Sequence, residues 1–110
     1  GQYDRAKAMN VMENILQAQP KIDAVYCFND EMAMGVLAAV KAAGRTGILI
    51  TGMDANQDAV EAVKKGELAM TIALPPKDIG RLGVIYAKWL KTGEISVPVK
   101  SIMPVQFITP

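Results

Sequence analysis

The chain has 110 residues, 51% of them hydrophobic and 21% charged, with a formal net charge of +1. That length holds one domain with a modest core and no more, and the near-neutral balance gives no electrostatic reason to expect nucleic acid or an anionic membrane surface as partner. With no histidine and one cysteine, the usual general base and the commonest metal ligand are absent and an internal disulfide is impossible, so neither metal nor cofactor is expected.

In chain order, Tyr3 to Gln19 reads as a helix. Ala8, Met12, Ile15, Leu16 and Gln19 recur at helical spacing, Asp4 is placed to cap it, and Pro20 ends it. Ala24 to Phe28 is an apolar strand holding Cys27, which reads as a buried, inert thiol. A helix follows from Glu31 to Ala43, closed by Gly44. Ile48 to Thr51 is a second strand, Gln57 to Lys65 a short helix with Ala59, Val60 and Val63 inward, and Ala69 to Ala73 a third strand. After Pro75 and Pro76 a longer helix is predicted over Lys77 to Lys91, with Ile79, Leu82, Gly83, Tyr86, Trp89 and Leu90 as its stripe. An irregular stretch with Pro98 and Pro104 then leads to a last strand, Val105 to Thr109.

Helices and strands alternating in this order specify an α/β chain with a mainly parallel sheet flanked by helices. Two details point to an incomplete domain. The opening helix should connect two parallel strands, yet no strand precedes it. The helix from Glu31 to Ala43 is apolar nearly all round and calls for cover on several sides, with Gly35 to Ala39 offering small residues for close approach to the sheet.

Open α/β sheets bind ligands outside the carboxyl ends of their strands. Asn29 and Asp54 fall there, on two successive strands. The Asn29 amide offers both donor and acceptor to sugar hydroxyls, and the Asp54 carboxylate accepts two hydroxyl hydrogens. Each also has a purely structural explanation: Asn29 as a helix N-cap, Asp54 as an Asx turn with Asn56 or Asp58 capping the next helix. Asp30 reads as a cap or a sheet-to-helix brace. Leu74 ends the third strand as the third point on that rim, where it offers only apolar atoms. Gly44-Arg45-Thr46-Gly47 lacks the P-loop pattern, and no paired carboxylates suggest acid–base catalysis, so no enzyme activity is expected.

Ile22 to Tyr26, Asn29 to Gly35, Ala42 to Gly44, Gly52-Met53-Asp54, Gly66 to Ala69, Thr71 to Ala73 and Asp78 to Gly80 together closely resemble the C-terminal part of the sugar-binding proteins of bacterial ABC importers, the ribose, allose and galactose group. The resemblance implies the type 1 periplasmic binding protein fold, two Rossmann-like lobes closing around a sugar, of which this chain would be an incomplete part of the second. Residues 1–74 would belong to the C-terminal lobe, residues 75–104 would carry a helix across to the N-terminal lobe, and residues 105–110 would return. Asn29, Asp54 and Leu74 would be ligand contacts. Leu74 stands where ribose-type members commonly carry glutamine or asparagine, which argues against ribose itself. The implied partners are a small sugar, a membrane permease and the missing N-terminal lobe, in a periplasmic or extracytoplasmic location, free or lipid-anchored. Without that lobe the chain would self-associate or hold its last helix loosely. The alternatives on the same fold are the effector domain of a lactose-repressor-type regulator and the sugar-sensor domain of a receptor.

Overall fold

The structure, a computed structural model, describes residues 2–74, 76–93 and 106–110. Helix and strand alternate as expected: α1 (Arg5–Ala18), β1 (Ala24–Tyr26), α2 (Asp30–Ala42), β2 (Leu49–Met53), α3 (Gln57–Lys64), β3 (Met70–Ala73), α4 (Pro76–Thr92) and β4 (Gln106–Ile108). They divide into two compact units, Gly1–Ala73 with Gln106–Pro110, and Leu74–Val105.

The first unit is built on a sheet of order β1-β2-β3-β4, in which β1, β2 and β3 run parallel and β4 lies antiparallel to β3. The side chains of a strand alternate between faces, and the registers carry that alternation across the sheet. Val25 pairs with Ile50, Gly52 with Thr71, and Thr71 with Ile108. This face meets the helices: Ile50 and Cys27 share one apolar cluster with Met12 and Leu16 of α1, Ala33, Val36, Leu37 and Val40 of α2, and Ala59 and Val63 of α3. The opposite face presents Tyr26, Leu49 and Phe107, which are 59%, 61% and 59% exposed.

Local chemistry sets the helix ends. The Asp4 carboxylate accepts the Lys7 backbone N–H at 2.8 Å and starts α1, with Ala8, Met12 and Leu16 buried behind it. Ile15, expected inward, is 41% exposed, because the buried stripe is narrower than the apolar one. At the far end of α2, Gly44 takes a φ of +63°, the left-handed turn that suits glycine after a helix.

Several expectations need correction. β2 extends beyond Thr51 to Met53, since Gly52 and Met53 continue the ladder against Thr71 and Ile72. β1 stops at Tyr26 instead of Phe28. Gly35 does not face the sheet: a Cβ there would overlap the Arg5 carbonyl oxygen, so this glycine sets the close crossing of α2 on α1. The glycine that lets α2 approach the sheet is Gly52, whose added Cβ would overlap the Asp30 carboxylate. The all-round apolar character of α2 is accounted for by packing among the described residues, between α1, β2 and α3.

In the second unit, α4 spans Pro76–Thr92. Ile79, expected on its buried stripe, is 44% exposed. The side chains of Trp89 and Leu90 lie outside the described ones, as do Pro98, Pro104 and Val105.

Candidate functional site

Parallel pairing of β1 and β2 fixes where the two candidate residues stand. Tyr26 is the register partner of Thr51, and Asn29 and Asp54 each lie three residues further along their own segments. Both leave the sheet at its carboxyl edge, beside the start of the following helix.

Asn29 is the N-cap of α2, and its Oδ1 accepts the Met32 backbone N–H at 2.9 Å. The structural explanation is therefore realised, and it uses only the acceptor. The amide NH2 has no partner among the described residues and is left to donate.

Asp54 is exposed. Its backbone N–H donates to the Ile72 carbonyl at 2.8 Å, while its φ is +114°, followed by +57° at Ala55. Such angles are sparsely populated for residues with a Cβ, and their surroundings must hold them. Among the described residues, the carboxylate makes no hydrogen bond or ion pair, so the Asx turn left open by the sequence is not formed. Asn56 occupies the N-cap position of α3 without a side-chain capping bond.

What holds this turn is buried beneath it. Asp30 and Thr71 are fully inaccessible. The Thr71 hydroxyl donates to Asp30 Oδ1 at 2.7 Å and accepts the Ala55 backbone N–H at 3.2 Å, and the Asn56 backbone N–H donates to Asp30 Oδ2 at 2.7 Å. Asp30 is thus the brace its sequence position suggested, tying the start of α2 to β3 and to the turn after Asp54. Burial pushes its carboxyl above the ordinary range, the hydrogen bonds from Thr71 and Asn56 pull the other way, and the charges of Asp54 and Asp58 add to the rise.

An outer clamp surrounds this brace. Arg5, in the first turn of α1, holds Glu31 through two hydrogen bonds of 3.0 and 2.9 Å and Asp58 through one of 2.6 Å. It links the N-terminal turns of all three helices that pack on the sheet in this unit. The Asp58 carboxyl is held below its usual value, chiefly by the Arg5 hydrogen bond.

Neither Thr71 nor Arg5 stood out in the sequence, because their roles depend on partners 41 and 53 residues away. Leu74 follows β3 directly and opens the second unit, where it is half-buried. Cys27 lies in the core with its thiol pushed up to about 11 by burial, as expected of an inert cysteine. Among the described residues, the Asn29 NH2 is free to donate and both Asp54 carboxylate oxygens are free to accept. That suits a neutral ligand rich in hydroxyls, since a hydroxyl can both give and receive.

Residues 1–95 match the periplasmic binding protein domain family. The ribose import binding protein of Salmonella typhimurium is 46% identical over 92 residues, covering 84% of this chain and 31% of that protein. A periplasmic solute binding protein from Actinobacillus succinogenes, solved with bound D-allose, superimposes with a TM-score of 0.84 at 30% identity over 97% of this chain and 37% of that one. A solute binding protein from Bacillus halodurans with bound myo-inositol gives 0.82 at 36% identity, over 98% and 37%. The chain therefore spans about a third of the length of these relatives. The match over most of its residues identifies it as a member of the periplasmic binding protein domain family, carrying part of that fold.

Proposed function

We propose that the complete gene product containing this chain is the sugar-binding component of an ABC-type importer, and that Asn29 and Asp54 hold ligand hydroxyls on one wall of its site. The observation that supports the reading is the pair of side chains following β1 and β2 at the carboxyl edge of the sheet, one with a free donor and the other with free acceptors among the described residues. Similarity to a ribose import binding protein and to proteins with bound D-allose and myo-inositol supports the same ligand class. The protein works without catalysis: the ligand favours a closed arrangement of two lobes, and the closed form is presented to a membrane permease. A location in the periplasm or an equivalent extracytoplasmic compartment goes with this role.

The resemblance assigns Leu74 a contact through apolar atoms. A hydroxyl left unpaired there would cost about 1–3 kcal/mol, so the ligand has fewer hydroxyls or an apolar edge, and D-ribose is disfavoured. The same resemblance assigns residues 75–104 to a crossing into the N-terminal lobe and residues 105–110 to the return.

Calorimetric titration of the complete gene product with D-ribose, D-allose, myo-inositol and deoxy sugars tests this reading. Saturable binding of at least one of these is expected, with a deoxy sugar bound more tightly than D-ribose. A folded protein that binds none of these and no other pentose or hexose would contradict the assignment.

A further inference from the structure

The two proposed ligand residues are joined beneath the surface by groups that touch no ligand. Asn29 is bonded in sequence to Asp30, whose two carboxylate oxygens receive the Thr71 hydroxyl and the Asn56 backbone N–H. The Thr71 hydroxyl also receives the Ala55 backbone N–H, one residue beyond Asp54. On its other side, Asp54 is tied to β3 by its own N–H to the Ile72 carbonyl. The turn is therefore gripped before and after Asp54, while Asp54 itself keeps a positive φ that a non-glycine residue does not adopt unaided. Gly52 is the counterpart of this arrangement, because any side chain at that position would displace the Asp30 carboxylate.

We infer that Thr71 and Asp30 are positioning residues for sugar binding, setting affinity by fixing the turn that aims the Asp54 carboxylate. This rests on the sugar-site reading above and adds to it a buried layer that determines how tightly the ligand is held. A pre-aimed carboxylate loses little freedom when a hydroxyl arrives, whereas a turn that samples other backbone angles must be ordered at the expense of binding. An exposed carboxylate on an unbraced turn would have the same chemistry and a weaker grip.

A double-mutant cycle in the complete gene product, read by calorimetry with the best-bound of the sugars titrated above, tests the inference. Thr71→Val keeps the side-chain shape and deletes the hydroxyl, and is expected to weaken binding about tenfold in the folded protein, the equivalent of one hydrogen bond. Thr71→Ser restores the hydroxyl and is expected to return most of the affinity. In an Asp54→Asn background, Thr71→Val is expected to have little further effect, because the group it aims has lost its charge. If Thr71→Val does not fold, Asp30→Asn enters the same cycle with the same expectation. A valine or asparagine variant that melts earlier yet binds as tightly as the parent would overturn the inference, as would losses that simply add to that of Asp54→Asn. An Asp54→Asn protein that binds undiminished would instead overturn the sugar site itself, and the brace with it.

Discussion

The Asp30 carboxylate accepts the Thr71 hydroxyl hydrogen at 2.7 Å across 41 residues of sequence, with both side chains fully buried. Together with the bonds from the Ala55 and Asn56 N–H groups, this contact ties the start of α2 to β3 and to the turn after β2. A polar pair so placed is costly unless its partners are satisfied, and here no buried side-chain nitrogen or oxygen among the described residues lacks a partner.

The pH dependence of stability should carry the signature of this burial. The folded chain holds the Asp30 proton to higher pH than the unfolded chain does. Its contribution is therefore full below the ordinary carboxylate value and declines as pH rises through the raised folded value. Asp30→Asn does not titrate, so its deficit in Tm relative to the parent should be larger near about pH 4 than near about pH 7. A deficit that grows with pH would contradict the direction of the shift.

Asp58 should behave in the opposite sense. Its lowered carboxyl contributes stability above the ordinary carboxylate value, and that contribution is lost as pH falls through the lowered folded value. Arg5 and its two partners are 44–45% exposed at the side chain. Arg5→Met should therefore cost no more than about 1 kcal/mol, with the cost shrinking in high salt. Denaturant melts at low and high ionic strength measure both effects.

Gly35 and Gly80 make a contrasting pair. A methyl group at Gly35 would overlap the Arg5 backbone, and Gly35→Ala should destabilise the protein by about 1–3 kcal/mol through a forced shift of α1 against α2. Around Gly80, within α4, no described atom lies within 4 Å of an added Cβ, so Gly80→Ala should be neutral or stabilise by up to about 1 kcal/mol. Equilibrium unfolding of the two variants checks the difference in sign.

Cys27 should be silent in the native protein. With its thiol buried and pushed up to about 11, it should react with a thiol reagent at neutral pH only on unfolding. Prompt native-state labelling would show that the core around β1 opens readily.

Asn29 allows capping to be separated from ligand contact. Aspartate is as good an N-cap as asparagine, so Asn29→Asp keeps an acceptor for the Met32 N–H and removes the free NH2. Sugar affinity should fall about tenfold, roughly one hydrogen bond, while Tm holds. Equal affinity in the two proteins would leave Asn29 as a cap and nothing more.

Much of this was legible in the residues. Apolar periodicity located the elements of the sheet and its helices, and Asn29 and Asp30 could be read as a cap and a brace because capping is decided by neighbours in sequence. Other features were not. Gly35 looked like a small residue for the sheet, since periodicity gives the face of a helix but not its partner. Thr71 reads in the sequence as one more β-branched strand residue, and only the fold brings it under the Asp54 turn. The positive φ of Asp54 also had no sequence signal, because aspartate, unlike glycine, does not announce such an angle. The apolar surface of α2 suggests absent cover, yet α1 and α3 supply it, and exposed apolar side chains lie instead on α1 (Val11, Ile15), on α4 (Ile79, Val84) and on the sheet face of Tyr26, Leu49 and Phe107.

The most direct test of the sugar site is the affinity of the Asp54→Ala variant of the complete gene product for its best-bound sugar, measured by calorimetry beside the parent. Loss of a carboxylate that takes two hydroxyl hydrogens should weaken binding by about a hundredfold, as expected for charge-assisted hydrogen bonds, with Tm nearly unchanged because the side chain is exposed and makes no bond among the described residues. An Asp54→Ala protein that binds the sugar as tightly as the parent would contradict the account.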